Sequence, residues 1–209
     1  MPLKEQEETI CISCLIKLPR TGFHMHEENP VSRAFWGRVN LKAATAFLFF
    51  SKQGKVQNLM HALKYRQQKN VGIYLGKLLG QDLLKSPLYE NLDYIIPVPL
   101  HPKKLNIRGY NQSMMIAKGI SEGYGTEIFH GLKRNLHSPS QTKKSRYERW
   151  ENVRDIFHLV DSHLLEDKSI LLIDDVITTG ATLEACAKLL EDVPNIEISI
   201  ASLAYASTL

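Results

Sequence analysis

Apolar residues follow two rhythms along the chain. Residues 44–50, Ala-Thr-Ala-Phe-Leu-Phe-Phe, form an apolar run of strand length. Val56, Leu59, Met60 and Leu63 then recur at i, i+3, i+4 and i+7, which lays an apolar stripe along one face of a helix. Val71, Leu75, Leu78 and Leu79 repeat that spacing, and Pro87 helps to end the second helix. Beyond Asp93 the texture changes. Tyr94-Ile95-Ile96-Pro97-Val98 predicts a short strand closing on proline. Residues 111–122 suit a helix and 126–129 a short strand. Ser169-Ile170-Leu171-Leu172-Ile173 is continuously apolar, the pattern of a strand buried on both faces of a parallel sheet. A helix over 181–191 and a strand over 196–203 follow. This strand–helix–strand alternation predicts an α/β domain with a parallel sheet. Residues 1–42, with Pro19, Gly22, Pro30 and Gly37, are expected to be irregular. A boundary is placed near residue 90, making 1–90 a small N-terminal α+β appendage or hood and 91–209 the core.

Composition narrows the class. With 209 residues, 44% hydrophobic and 23% charged, the chain is the size of one domain and can bury a real core. A net charge of +4 neither demands nor excludes a nucleic-acid partner. The longest apolar run, near 43–50, is too short to span a membrane, so no membrane partner is expected. The polar, acidic start from Met1 to Glu8 does not read as a secretory signal. Three cysteines, Cys11, Cys14 and Cys186, fit a reduced, cytoplasmic setting better than a disulfide scaffold.

The stretch richest in chemistry is Leu171-Leu172-Ile173-Asp174-Asp175-Val176-Ile177-Thr178-Thr179-Gly180-Ala181-Thr182-Leu183. An apolar strand ends in two acids, and a loop of hydroxyls and glycine then opens a helix. Ligands of open parallel sheets bind where strands end and helices begin. The N–H groups and positive dipole end of a helix start suit a phosphate. Gly180 lets the backbone approach the anion, while Thr178, Thr179 and Thr182 add hydroxyl donors. Asp174 and Asp175 only accept, which suits sugar hydroxyls met directly or through a metal and its waters. The pattern therefore asks for a ligand carrying both a phosphate and a diol. A Walker loop needs a Gly-Lys-Ser/Thr ending, which is missing here, and G-x-G-x-x-G occurs nowhere in the chain.

Asp174 to Thr182 resembles the phosphoribosyl-pyrophosphate (PRPP) motif of type I phosphoribosyltransferases. The resemblance implies that parallel-sheet fold, with helices on both faces. It also implies that Thr178, Thr179, Gly180, Ala181 and Thr182 grip the ribose 5-phosphate while Asp174 and Asp175 meet the ribose hydroxyls. Ile96-Pro97-Val98-Pro99-Leu100-His101-Pro102, Arg108-Gly109-Tyr110-Asn111-Gln112, Pro139-Ser140-Gln141, Glu148-Arg149 and Asn152-Val153 are similar to the ComF competence family. His61-Ala62-Leu63-Lys64-Tyr65 resembles that family's segment before the core, which brings Lys64 into the candidate set.

The same resemblance places a pyrophosphate grip at Val98, Pro99, Leu100 and His101, with a cis Leu100–His101 peptide as the expected strained element. Arg108 joins it, and Lys103 and Lys104 lie nearby with no acid between Pro97 and Gln112. Residues 133–154 carry seven basic side chains against Glu148 and Glu151. In type I transferases a loop at this position closes over PRPP, which makes Lys143 and Arg146 candidate catalytic residues. With few apolar anchors, 138–150 is expected to gain order only when the site is filled. Mg²⁺ is implied through Asp174 and Asp175, mostly indirectly, bridging ligand oxygens and keeping waters.

Three departures refine the resemblance. ComF proteins usually begin with two Cys-x-x-Cys pairs, whereas only Cys11-Ile12-Ser13-Cys14 is present. His24 and His26 are poorly spaced to replace the second pair, so zinc is not expected. Hypoxanthine–guanine transferases place an acid where Thr178 stands. Amidophosphoribosyltransferases use an N-terminal cysteine, while here residue 1 is Met and residue 2 is Pro, so glutamine-dependent chemistry is not expected. Two function classes remain. One is an enzyme that transfers phosphoribosyl from Mg·PRPP to an unidentified nitrogen acceptor. The other is a PRPP- or nucleotide-binding accessory of DNA uptake without turnover, with DNA or the competence machinery as partner. The sequence leaves the oligomeric state open. Protein purified without chelator should contain far less than one zinc per chain by metal analysis; stoichiometric zinc lost on Cys14→Ser would overturn this.

Overall fold

The computed structural model describes residues 9–135 and 156–206. Five strands form one sheet in the order β1-β7-β6-β2-β3, and every neighbouring pair is parallel. The strands are β1 (Ala43–Phe49), β2 (Tyr94–Pro97), β3 (Glu127–Ile128), β6 (Ser169–Ile177) and β7 (Glu197–Tyr205). A separate antiparallel pair joins β4 (Leu132–Arg134) to β5 (Phe157–Leu159). The helices are α1 (Ile12–Ile16), α2 (Pro30–Arg33), α3 (Lys55–Tyr65), α4 (Lys69–Leu83), α5 (Pro102–Arg108), α6 (Gln112–Tyr124) and α7 (Ala181–Leu190).

Alternation along the strands builds two apolar layers. Ile95, Leu171, Ile173, Ala201 and Leu203 face α3, α4 and α6. Ile96, Ile170, Leu172, Ile198 and Ile200 face α7 and the segment that carries Val31 and Phe35. The expected parallel sheet with helices on both faces is therefore what forms. β1 comes from before residue 90, yet it hydrogen-bonds to β7 in the same sheet, and α4 packs on α6 from the other side of that position.

The segment expected to be irregular contains α1, α2 and a turn of 3₁₀ helix at Phe23–Met25. Its middle lines the outer edge of β1, where the Thr21 N–H donates to Phe47 O at 3.1 Å and the Phe49 N–H to Pro19 O at 2.8 Å. An otherwise open sheet edge is thereby covered. Asn29 explains α2. Its side-chain oxygen accepts from the Val31 and Ser32 N–H groups, and its amide donates to Ala44 O at 2.8 Å, which pins the helix to β1.

Two other boundaries differ from expectation. The central strand continues past Ile173 to Ile177, because Asp174, Val176 and Ile177 keep pairing with Ser202, Ala204 and Tyr205. The two acids thus belong to the strand. The Leu100–His101 peptide is trans, as are all described peptide bonds. His101 instead N-caps α5, its Nδ1 accepting from the Lys103 N–H at 3.1 Å, so an unstrained cap forms where a strained bond was expected.

α4 and α6 cross at van der Waals range because glycines line the seam. A Cβ on Gly119 would strike the Ile73 carbonyl oxygen, and one on Gly80 would lie 2.7 Å from Ile120 O. Backbone cannot yield as a side chain tip does. Gly119→Ala should therefore destabilise the protein by about 1–3 kcal/mol despite alanine's better helix propensity. Chemical denaturation of the variant against the parent chain checks this.

Candidate functional site

The site forms at the C-terminal ends of β6 and β2, where α7 and α5 begin. Asp174 and Asp175 stand side by side near the end of β6, and each finds a partner distant in sequence. The Ser113 hydroxyl donates to Asp174 Oδ1 at 2.9 Å, and the Asp175 N–H donates to the same oxygen at 2.8 Å. Lys64, in the last turn of α3, donates from Nζ to Asp175 at 2.9 Å. Burial and the neighbouring charge of Asp175 push the Asp174 carboxyl up to about 7, although both its hydrogen bonds and Lys64 pull the other way.

α6 is set by Asn111. Its Oδ1 accepts from the Ser113 N–H at 3.1 Å, and its Nδ2 donates to Val98 O at 2.9 Å. Val98 in turn donates its N–H to Ile173 O at 2.9 Å, so the β2 end is registered against the acids' own strand. One cap residue thus places Ser113 on Asp174 and fixes the loop that starts at Val98.

The hydroxyl–glycine loop leads into α7 through Gly180, which has φ +74° and ψ 1°, a left-handed conformation that favours glycine. A Cβ there would lie 2.8 Å from the Phe35 ring. The glycine is thus required by the loop's turn and by Phe35 beneath it, a reason the sequence reading did not contain. Thr179 Oγ1 accepts from the Ala181 N–H at 3.4 Å. The Thr179 carbonyl accepts from Arg38 Nη1 at 3.0 Å.

Of the other expected residues, Arg108 donates to Gln112 Oε1 at 2.8 Å and stands 5.4 Å over the Tyr65 ring. Pro99, Leu100 and His101 form the half-buried turn into α5. Lys143 and Arg146, with the whole of 138–150, fall outside the described residues. The β4–β5 pair flanks them on both sides, with Arg134 opposite Phe157. At the N-terminus the Cys14 thiol is raised by its hydrogen bond to Cys11, by burial and by the charge of Cys11. No group of three or more His, Cys, Asp or Glu able to hold a metal occurs among the described residues.

Sequence reasoning missed Ser113, Phe35 and Arg38 as neighbours of this site. Asn111 was within reach, since an Asn before a helical stretch is an N-cap signal. Asn29, three residues before Ser32, carried the same signal for α2.

A phosphoribosyl transferase domain matches residues 130–208. Competence protein F of Haemophilus influenzae is 31% identical over 153 residues, covering 71% of this chain and 67% of that protein. The chain belongs to the ComF family. Competence protein ComFC of Streptococcus pneumoniae is 33% identical over 117 residues, covering 56% of this ComF chain and 48% of that protein. The DNA utilization protein YhgH of Escherichia coli is 26% identical, covering 88% and 78%. Among solved structures, a glutamine PRPP amidotransferase from B. subtilis aligns with a TM-score of 0.46 at 21% identity, over 67% of this chain and 30% of that one. The sheet and the domain match together give this ComF chain the type I phosphoribosyltransferase fold. No helix among the described residues is long and apolar enough to cross a membrane.

The raised Asp174 carboxyl makes stability depend on pH with a definite sign. The folded state holds this proton more tightly than the unfolded chain, whose aspartates release it near pH 4. Stability is therefore full below about pH 4, falls as pH rises to about 7, and levels off above. Denaturant titrations at pH 5 and pH 8 in EDTA should show the loss, and Asp174→Asn should remove a part on the order of 3 kcal/mol. An unchanged pH slope in the variant would contradict the assignment.

Proposed function

We propose that this chain binds Mg·PRPP and transfers its phosphoribosyl group to a nitrogen nucleophile in the cytoplasm, releasing pyrophosphate. The observation that carries the reading is the Asp174–Asp175 pair at the strand end, held by Ser113 and Lys64 beside a left-handed glycine that opens α7. In the reaction the acceptor nitrogen's lone pair forms a bond to the anomeric carbon as the C–O bond breaks, with inversion, and that electron pair leaves with pyrophosphate. The nitrogen then loses its proton to solvent or to a base. Ribose hydroxyls donate to Asp174 and Asp175, and the 5-phosphate sits against Thr178 to Thr182 at the start of α7.

The carboxylate pair offers oxygen ligands only, which suits a Mg²⁺ held largely by its ligand and waters. When bound, it neutralises pyrophosphate charge. Lys64 keeps Asp175 in place and offsets part of the pair's charge. Val98 to His101 and Arg108 supply the pyrophosphate side, and Lys143 and Arg146, outside the described residues, are its further candidate catalytic residues.

A second reading is favoured by a specific surface. Residues 52–81 and 94–121 contain no acid, and they meet where Arg108 stands over Tyr65, which is 63% exposed, and His61 lies 4.9 Å from the same ring. A basic face with an exposed aromatic is the chemistry of single-strand binding. That suits a PRPP-binding accessory of DNA uptake, in keeping with the names of the relatives.

A panel of purine and pyrimidine bases and simple amines, each incubated with Mg·PRPP, separates the two through pyrophosphate release. The transferase reading expects release with at least one acceptor and its loss on Asp175→Asn. PRPP binding by calorimetry without release from any acceptor favours the accessory, and no binding at all removes both.

A further inference from the structure

We infer that Arg38, from the segment before β1, is a positioning residue for the phosphate loop: it fixes the Thr179–Gly180 peptide and cancels the charge of Glu184 beside it. This rests on the phosphate-loop reading above and adds a residue far outside the motif.

The geometry has three parts. Arg38 Nη1 donates to Ala34 O at 2.8 Å and to Thr179 O at 3.0 Å, so one guanidinium nitrogen ties the end of α2 to the loop. Arg38 Nη2 donates to Glu184 Oε2, and Lys188 donates to Glu184 Oε1 at 2.7 Å, so both carboxylate oxygens are engaged. Phe35, one turn earlier on the same segment, packs under Gly180 and is fully buried. Asn29 anchors the segment itself to β1.

Elementary stereochemistry gives these contacts a role. In a trans peptide the C=O and the N–H point in opposite directions. Holding the Thr179 oxygen on the Arg38 side therefore turns the Gly180 N–H the other way, away from Arg38. The left-handed φ of Gly180 would otherwise leave this plane free to rotate, since glycine tolerates many conformations. Arg38 thus sets the orientation of a backbone donor without approaching the ligand.

The charge argument is independent. Glu184 lies in the first turn of α7, where a bound phosphate would meet a second negative charge. Burial raises its carboxyl, but hydrogen bonds from Lys188 and Arg38 outweigh that and leave it lowered, so it stays ionised. Arg38 and Lys188 surround that charge, which keeps the helix start attractive to an anion.

The two roles separate by substitution. Arg38→Ala loses both. Arg38→Lys keeps a cation near Glu184 but cannot span Ala34, Thr179 and Glu184 with one planar fork. Glu184→Gln removes the charge that needs cancelling. Calorimetry with ribose 5-phosphate, and separately with inorganic pyrophosphate in Mg²⁺, reads the outcome. Arg38→Ala should weaken ribose 5-phosphate about tenfold or more, with pyrophosphate changed far less. Arg38→Lys should recover only part of the loss, and adding Glu184→Gln to Arg38→Ala should recover the electrostatic part. Unchanged ribose 5-phosphate affinity in Arg38→Ala overturns the inference. So does an equal loss for both ligands in Arg38→Lys, since that is the mark of a general structural defect. Parent protein that binds neither ligand defeats the phosphate-loop reading itself, a result visible before any variant is made.

Discussion

The ion pair between Lys64 and Asp175 joins the last turn of α3 to the end of the central strand, across 111 positions of sequence. Two adjacent carboxylates at the end of a strand buried on both faces are costly unless their charge is met. Lys64 meets one, and Ser113 with a backbone N–H meets the other, whose proton affinity nonetheless rises. Much of the remaining architecture serves to deliver these partners. α3 must end where Asp175 begins, α6 must start beside Asp174, and the β2 end must be registered so that Asn111 can cap α6 and hold Val98 together.

The same arrangement leaves Asp174 poorly suited to carry its charge in the empty protein. A carboxyl that prefers its proton in the empty protein becomes comfortable when ionised only if hydrogen-bond donors or a cation arrive. Under the proposed function, ribose hydroxyls would be such donors and Mg²⁺ such a cation. The left-handed turn at Gly180 and the tight seat of Phe35 beneath it likewise fix the backbone shape of the loop that opens α7.

The strand, loop and helix from Leu171 to Leu183 were legible because everything that defines them is local: an apolar run, two acids, hydroxyls, a glycine and an apolar helix face. The end of the strand was less so. Asp174 and Asp175 look like loop residues until β7 is seen to pair alongside them. Lys64 came into view through family resemblance, since nothing in a helix-spaced stripe marks one lysine as the partner of an acid so far away. Arg38 and Phe35 were hidden for a related reason: they lie in a stretch whose scattered apolar residues carry no period. Only the Asn29–Ser32 capping box announces that structure begins there. The expected cis peptide at Leu100–His101 was borrowed from relatives, and the His101 cap takes its place here.

β1 and β7 lie side by side, with Ala43 opposite Ser199 and Phe49 opposite Tyr205. The partner of the first described strand is thus the last described one, more than 150 positions later in the chain. Until residue 205 has emerged, the apolar run from Ala43 to Phe49 has no sheet to join, and the β6 end that carries the acids lacks the neighbour that keeps it extended. Pairings this distant in sequence form slowly, and an unpaired apolar strand is a surface for unwanted association in the meantime. Completion of the sheet and the extended end of β6 that carries the acids both wait on β7, so a chain interrupted before it would lack the neighbour on which the acid pair rests.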